Sequence, residues 1–525
     1  MSVGRYWRTA RHLSRGQVVG RLERGVRHFR WARSPDTAWQ RIEARAAQLP
    51  RPDVRAAPLA RAAEHVRLLN STLQGDMAKG RFTLLGREFD FGSPEAIDWR
   101  GDFAEGDNPL RRMTLAYLGH IFRTEDIALV ERMVLSLERG NPFGTPGVMR
   151  DVWNPYAASH RLINLLSWMA LRRRPDATLN AHARLCAALV LGDLERDLGF
   201  NHLLKNFVAL AMYGIPLDPR QVARIVGDCV LADGGHAERS PMYHVLGLLD
   251  LRVLRELGYD VADATLRMER ALSVMSHPDG DIALFNDSWI GGAPRAADVA
   301  PIFHDMRDLP DTGYVKLASG DDAVIFDCGA AGPDRNPAHA HADFLSIELS
   351  VGGKRVIVDP GVATYTAGPE RQECRSAAAH NGPVVVGREP LELWGSFRVG
   401  RRESARPIDD PAFGGVAPLW CAGALSAPKV ARWVGLFPGE GLLVCDVGER
   451  SRFLLAADMP AQAVIGTLDR ASGRRWSRYG IEEQATAITV TADAGRAATW
   501  FGWGPRHPPE PATLERIFDA LRNGS

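Results

Sequence analysis

Apolar residues recur every three to four positions from about residue 108 to residue 276, and short breaks rich in Gly, Pro or Asp separate these stretches. This spacing is typical of α-helices that bury one face. Ser240 and Pro241 supply a helix start, with Ser as N-cap and Pro at the first helical position, and Gly258 closes the same helix. The pattern predicts a run of helical hairpins, with helices at 108–122, 125–139, 156–173, 180–197, 201–214, 218–231, 240–257 and 261–276.

After Asp281 the pattern changes to short β-branched and apolar runs that Gly and Asp interrupt. Examples are AVIFDC (323–328), FLSIELSV (344–351) and KRVIVD (354–359). Such runs continue to residue 501, at a density that favours an antiparallel β-sandwich over alternating β-α units. The sequence therefore predicts a helical first half and a β second half, with the boundary at 281–312.

The chain has 525 residues, which is long enough for two or more domains. Its 64 Lys and Arg balance 63 Asp and Glu, which argues against a chain-wide field that attracts nucleic acid. No stretch of about twenty apolar residues occurs, so we expect no membrane span. We interpret the N-terminal arginines as the solvated face of a helix rather than a membrane-binding surface. Without the pattern of a signal peptide a cytoplasmic location is expected, with the periplasm left open.

Ligand-type side chains are concentrated in NPAHAHADFLSIELSVGGKRVIVDPG (336–361). In an extended chain His339, His341 and Asp343 point to one face, and Asp359 ends the next strand. His341, Asp359 and His380 form a two-His, one-carboxylate set that suits zinc, with Asp343 as a partner of a ligand or a turn residue. The alternative is that these histidines are ordinary loop residues bonded to the backbone.

Three segments of the helical half carry further polar and aromatic side chains at predicted loop rims, where functional residues are common. Each such residue alone has a structural explanation, as an N-cap, a rim aromatic or a packing residue, and only their joint presence favours a site. The segments are DVWNPYAASHRLIN with Tyr156 and Arg161, FNHLLKN with Asn201 and His202, and DGGHAERSPMYH with His236, Glu238 and Tyr243.

These motifs resemble the heparinase II/III family of polysaccharide lyases, which is related to alginate lyase families of the same architecture. The most specific part is GPDRNPAHAHADFLSIELSVGGKRVIVDPGVATYTAGPERQECRSAAAHNGPVVV, followed by LWGSFRVGRR and, in the helical half, DGGHAERSPMYH. The resemblance implies an incomplete (α/α) toroid followed by an antiparallel β-sandwich, with substrate in a cleft shared by the two. On this basis we expect a helical extension at 1–100, the toroid at 101–300 and the sandwich at 301–525.

The resemblance also implies roles for individual residues. Asn201 and His202 would neutralise a uronate carboxylate. Tyr243 would be the catalytic acid and could also serve as base, and His339 would be the partner base; whether Tyr243 acts alone or with His339 is left open. This chain has Lys205 where some relatives have Glu. Substrate contacts are expected from Tyr156, Arg161, His236, Glu238 and Tyr365, and a structural zinc is expected on His341, Asp359 and His380.

The implied reaction is β-elimination of a uronic-acid-containing polysaccharide, which leaves a 4,5-unsaturated uronate. Donors must stabilise an enolate-like intermediate while a base and an acid move protons. We prefer His339 as base because histidine titrates nearer neutrality than tyrosine. Two alternatives are a glycoside hydrolase that uses Asp233 and Glu238, and a protein that binds polysaccharide without cleaving it. The polymer, endo or exo action, the metal's identity and any homo-oligomer are left open.

Overall fold

The computed structural model describes residues 3–103 and 106–524. The chain forms two compact units, and neither is one continuous stretch of sequence. Residues 230–245, which include Tyr243, belong to the β-rich unit, although the helix that begins at Pro241 continues in the helical unit. The helical unit consists of 13–229 and 246–265, and the sandwich unit of the described residues up to 12, 230–245 and 266–524.

Helices fill most of the first half, as the apolar spacing predicts. The predicted helix 108–122 ends at Ala116, because Leu118 takes a left-handed backbone conformation with φ of 60°. The predicted helix 180–197 ends at Gly192. Within the described residues, no helix has the length and apolarity needed to cross a bilayer. The helices are α1 Val3–Ala10, α2 Arg15–Arg33, α3 Pro35–Gln48, α4 Ala57–Leu69, α5 Asn108–Ala116, α6 Ile127–Gly140, α7 Pro155–Arg172, α8 Ala177–Gly192, α9 Phe200–Tyr213, α10 Pro219–Cys229, α11 Pro241–Glu256, α12 Ala262–Leu272, α13 Ala296–Val299, α14 Pro369–Arg375 and α15 Pro511–Gly524.

Antiparallel sheets dominate the sandwich unit, as the β-branched runs predict. The strands of the chain are β1 Gly75–Asp76, β2 Arg81–Leu84, β3 Arg87–Asp90, β4 Asp308–Leu309, β5 Tyr314–Ser319, β6 Asp322–Asp327, β7 Ile347–Val351, β8 Lys354–Ile357, β9 Pro383–Val384, β10 Leu393–Trp394, β11 Arg398–Val399, β12 Arg406–Pro407, β13 Leu419–Leu425, β14 Val430–Phe437, β15 Gly441–Val447, β16 Arg450–Leu455, β17 Ala461–Ile465, β18 Thr467–Arg478, β19 Ile481–Thr491 and β20 Arg496–Gly502. One sheet of the sandwich has the order β12-β13-β14-β15-β20-β17, and the other has the order β18-β19-β16-β8-β7-β6-β5-β4, with β9 paired to β16.

Strand β14 shows how the sandwich core is built. All eight of its residues are buried, because both of its faces are covered. Val434 and Leu436 lie in the core between the two sheets, while Trp433 and Phe437 lie in a second core with the terminal helix α15. The alternation follows from the two-residue period of a strand. Each large apolar side chain buried in this way stabilises the fold by roughly 1.5–3 kcal/mol.

The first hundred residues contain a small sheet that the helical expectation for 1–100 did not include. Strands β1, β2 and β3 form an antiparallel sheet in the helical unit. The turn between β2 and β3 consists of Leu85 and Gly86, with φ of 47° and 75°. Two positive φ values in a two-residue hairpin loop match the twist of the flanking strands.

Candidate active site

The histidine-rich segment lies in the loop between β6 and β7 of the sandwich unit. It is not the extended strand that the alternation of its residues suggested. It packs instead against Asn286 and Asp287: the Asp287 N–H donates to the His339 carbonyl at 3.1 Å, and the His341 N–H donates to Oδ1 of Asn286 at 2.9 Å. This pairing places the imidazoles of His339 and His341 beside the Asp287 carboxylate.

Tyr243 and His339, the predicted acid and base, are in contact within the sandwich unit. Their ring centroids are 4.0 Å apart, with 31° between the ring planes. Tyr243 lies in the first turn of α11, where its N–H donates to Oγ of Ser240 at 3.3 Å. The predicted Ser240 cap therefore also fixes the position of Tyr243. The hydroxyl of Tyr243 is 3.5 Å from that of Tyr365.

Asp287 is the shared acceptor of this site. Its fully buried carboxylate is 3.0 Å from Nδ1 of His339 and 2.9 Å from Nε2 of His341. Arg371 donates to both carboxylate oxygens, at 2.5 and 2.8 Å. Burial opposes ionisation, but Arg371 and the two imidazoles outweigh it and hold the pKa of Asp287 well below its usual range. An anion at Nδ1 favours the His339 tautomer whose Nε2 can accept a proton.

Aromatic rings surround this pair. Tyr365 is buried, and the Arg371 guanidinium lies 4.8 Å from its ring centroid. Burial, with Asp287 and Tyr243 nearby, raises the pKa of Tyr365 well above its usual value, so that its phenol stays neutral. Phe397 lies 5.0 Å from Tyr365 and 5.8 Å from His339, ring centroid to ring centroid. Because Phe397 is 39% exposed, it offers an apolar surface beside His339.

His236 and Glu238 also lie in the sandwich unit, and both are buried. Glu238 Oε2 is 3.9 Å from Nε2 of His339. Burial, with smaller effects of His244 and His339, lowers the pKa of His236 to about 3, so this imidazole is neutral. Their burial indicates a role in the surroundings of His339, and direct contact with substrate stays a prediction.

A buried cluster beside the site matches a metal-ligand set. Asp343, Asp359 and His380 each offer one ligand atom, and these atoms lie within 4.8 Å of one another. The structure thus brings Asp343 into the cluster, while the His341 ring lies 5.3 Å from that of His380. Nδ1 of His341 and Nε2 of His380 are buried and have no hydrogen-bond partner among the described residues. Two such nitrogens with two carboxylates are donors that zinc accepts.

The carboxylates of Asp343 and Asp359 have too little positive charge around them to offset their burial. Burial raises the pKa of Asp359 to about 6; His380 opposes this rise, and Asp343 and Glu348 add to it. Burial also raises the pKa of Asp343. A bound cation would reverse this balance and favour the ionised carboxylates, so the residues present fit a metal ion.

In the helical unit, Tyr156 and His202 meet at the N-terminal turns of α7 and α9, with ring centroids 4.4 Å apart. Nδ1 of His202 is 3.1 Å from Oε1 of the fully buried Glu195. Glu195 also accepts from Nδ2 of Asn206 at 3.1 Å. Asn201 directly precedes His202 in α9. The expectation that Asn201 and His202 act together with Tyr243 stays a prediction.

Arg161 and Lys205 have structural contacts in the helical unit. Arg161 is fully buried and donates to the backbone oxygens of Ala116 and Val152 at 2.9 and 3.1 Å. These contacts give Arg161 a packing role and leave its predicted contact with substrate without support. Lys205 is buried and donates to Oδ1 of Asp250 at 2.6 Å.

Sequence reasoning missed Asp287, Arg371 and Glu195. A single-sequence signal exists for Asp287 alone: it belongs to a polar triplet, 286–288, that directly follows the apolar run 282–285. Nothing in the local sequence marks Arg371, in α14, or Glu195, in the loop after α8, because their partners are distant along the chain.

Comparison with known proteins agrees with the motifs in the second half of the chain. Residues 302–452 match the family described as heparinase II/III-like, C-terminal. FtsZ-localized protein C of Caulobacter vibrioides (strain NA1000 / CB15N) is 30% identical over 164 residues, which are 29% of this chain and 28% of that protein. The match thus covers less than a third of the length of this curated relative.

Two solved structures are similar to most of the chain. Heparinase III has a TM-score of 0.59 and 13% identity, over 85% of this chain and 84% of its own. A mutant of the heparan sulfate lyase HepC from Pedobacter heparinus has a TM-score of 0.50 and 16% identity, over 95% and 92%. At such low identity the likeness shows the fold, and it confirms the predicted incomplete toroid followed by an antiparallel sandwich. The sequence likeness to the heparinase II/III-like family therefore lies in residues 302–452.

Proposed function

We propose that this chain is a polysaccharide lyase that cleaves a uronic-acid-containing polysaccharide by β-elimination. The observation that carries the proposal is the contact of Tyr243 with His339, together with the Asp287 carboxylate at Nδ1 of His339. A neutral imidazole held in one tautomer is a base, and a phenol next to it is a proton donor. The names of the solved relatives, heparinase III and heparan sulfate lyase, put glycosaminoglycans first among the polymers to test.

In the proposed step, Nε2 of His339 takes the proton from C5 of the uronate. The electron pair left at C5 forms the C4–C5 double bond, and the bond from C4 to the bridging oxygen breaks. The hydroxyl of Tyr243 gives its proton to that departing oxygen. Positioned acids and bases each contribute ~10²–10⁴-fold to such reactions. Asn201 and His202 are proposed to neutralise the uronate carboxylate, which makes the C5 proton easier to remove.

We also propose that His341, Asp359 and His380, joined by Asp343, hold a structural zinc ion. Zinc bound there would supply cross-linking of the loop and strands and positive charge for buried carboxylates. The reaction itself needs no activated water, so the proton transfers are assigned to Tyr243 and His339. His341 connects the cluster to the base, since it shares the Asp287 carboxylate with His339.

A hydrolase mechanism based on Asp233 and Glu238 has less support. Both oxygens of Asp233 accept hydrogen bonds, from Gly235 N–H at 2.9 Å and from Thr312 N–H at 2.6 Å among others. These bonds explain Asp233 as a residue that fixes its loop. A glycoside hydrolase needs one carboxyl group that can protonate the leaving group and a second that can act as base or nucleophile, and the loop contacts of Asp233 do not suit either role.

The test is a screen of uronate polymers for a gain in ultraviolet absorbance, which the conjugated product of elimination produces. We expect turnover by the parent and loss of it in the Tyr243→Phe and His339→Ala variants. New reducing ends without absorbance would show hydrolysis instead. Binding of a polymer by the parent without any product would favour the non-catalytic alternative.

A further inference from the structure

Helix α2 directs charged side chains towards the helical unit. Arg24 forms ion pairs with three carboxylates, at 3.7 Å (Asp193), 3.4 Å (Glu195) and 3.3 Å (Asp197). His28 Nε2 lies 2.6 Å from Asp193. Asp193 and Glu195 are fully buried. The inner side of α2 is therefore held to the rest of the helical unit largely by ion pairs.

The outer face of α2 is apolar. Its large side chains are exposed at 43% (Val18), 52% (Val19), 66% (Leu22), 51% (Val26) and 60% (Phe29). Spacings of three and four residues place them on one face, on the side away from Arg24. A surface helix of a globular protein normally has the reverse arrangement, with its apolar stripe inward. A contiguous exposed apolar stripe of this kind marks an interaction surface.

Arginines surround this stripe. The exposed arginines of α2 are Arg15, Arg21, Arg30 and Arg33, and Glu23 is the acidic residue of the helix. The Arg33 guanidinium lies 5.5 Å from the Phe29 ring centroid. Long arginine side chains can lie along apolar surface while their charged ends stay in a polar layer. The combination of an apolar stripe and basic edges is typical of helices that lie in a membrane interface.

We propose that α2 docks this protein onto the surface of an anionic phospholipid bilayer. The exposed apolar stripe of α2 thus replaces our interpretation of its arginines as a solvated face that binds no membrane. Val19, Leu22, Val26 and Phe29 enter the boundary between headgroups and acyl chains, and the arginines meet lipid phosphates. The 19-residue helix, about 28 Å long, lies parallel to the surface. A protein partner would need acidic side chains matched to each arginine, whereas an anionic bilayer supplies phosphates along the whole helix. The overall charge of +1 does not oppose this, because the attraction is local.

The test is flotation of the full chain with vesicles of phosphatidylglycerol and phosphatidylcholine, and with vesicles of phosphatidylcholine alone. We expect binding to the anionic vesicles, weakened by salt, and little binding to the neutral ones. Leu22→Ser combined with Phe29→Ser should lower the partition coefficient roughly tenfold or more. The matched control is Leu266→Ser combined with Val386→Ser, which removes two other exposed apolar side chains (53% and 54%) and should bind as the parent does.

Arg15→Gln combined with Arg30→Gln should reduce both the binding and its salt dependence. All of these side chains are exposed, so thermal melting should be unchanged and verifies folding. The proposal is overturned if the parent floats with neither vesicle, or if the Leu22 and Phe29 variant floats like the parent. A parent that ignores vesicles but forms a dimer, which the same variant abolishes, would assign the surface to self-association.

Discussion

Replacement of Asp287 by Asn tests whether this carboxylate positions the base. The amide keeps the shape of the side chain but removes the charge that Arg371, His339 and His341 share. Because Arg371 is about 1% exposed, its charge would stay buried without a counter-ion, which costs about 3–5 kcal/mol of stability. The Asn amide can also donate to Nδ1 of His339, which favours the tautomer with a protonated Nε2. We expect kcat to fall by ~10²–10⁴-fold, as when a positioned base is lost.

The loss of kcat must be separated from the loss of stability. Asp446→Asn is a matched control, because Asp446 is also a buried aspartate that accepts two hydrogen bonds from one arginine, Arg432 at 2.7 and 2.8 Å. Both variants should melt at lower temperature, but only Asp287→Asn should lose absorbance-detected turnover per folded molecule. Parental kcat in Asp287→Asn, at a temperature where it is folded, would refute the positioning role.

Four further outcomes are expected. Tyr243→Phe should lower kcat ~10²-fold or more and change the unfolding free energy by less than about 1 kcal/mol; parental turnover would contradict its role as acid. His380→Ala should lose bound zinc in elemental analysis and melt earlier, whereas His244→Ala, a buried histidine outside the cluster, should keep the metal; equal metal content in both would oppose the zinc site. Arg161→Met should lower the free energy of unfolding by about 2–4 kcal/mol and leave KM unchanged, because the Arg161 guanidinium donates to buried carbonyls. A raised KM with unchanged stability would instead support a contact of Arg161 with substrate. Glu195→Gln should lower kcat/KM roughly tenfold by loosening His202, and an unchanged value would show that this contact is only structural.

The helices and the sandwich were predictable because their signals are local. Apolar spacing identifies α7, whose central residues are almost all buried, and Ser240 with Pro241 marks the start of α11. Strand β14 is visible in the sequence as the mainly apolar run VARWVGLF, although burial of both its faces depends on α15, far along the chain. Periodicity therefore predicts the type of an element, but not what covers it.

The site was predictable only where a motif concentrates its residues. His339 and His341 are two positions apart, and the alternation suggested a shared face on a strand. The structure instead sets this loop against Asn286 and Asp287, a contact between distant segments that no local pattern encodes. Asp343 joins the ligand cluster for the same reason, since the fold of the loop decides which carboxylate reaches His380.

The bonding of Asp287 connects the proposed metal site to the proposed elimination, which itself needs no metal. Both imidazoles use one nitrogen on the same carboxylate, Nδ1 in His339 and Nε2 in His341. The nitrogen that remains on each ring therefore carries a lone pair: Nε2 of His339 can take a proton, and Nδ1 of His341 can bind a metal in the cluster. A metal that fixes His341 also fixes the position of Asp287, because the Asp287 carboxylate has little freedom between an imidazole and the guanidinium of Arg371. It follows that, if the proposed metal binds there, its removal should lower activity by displacing His339 rather than by removing a reactant.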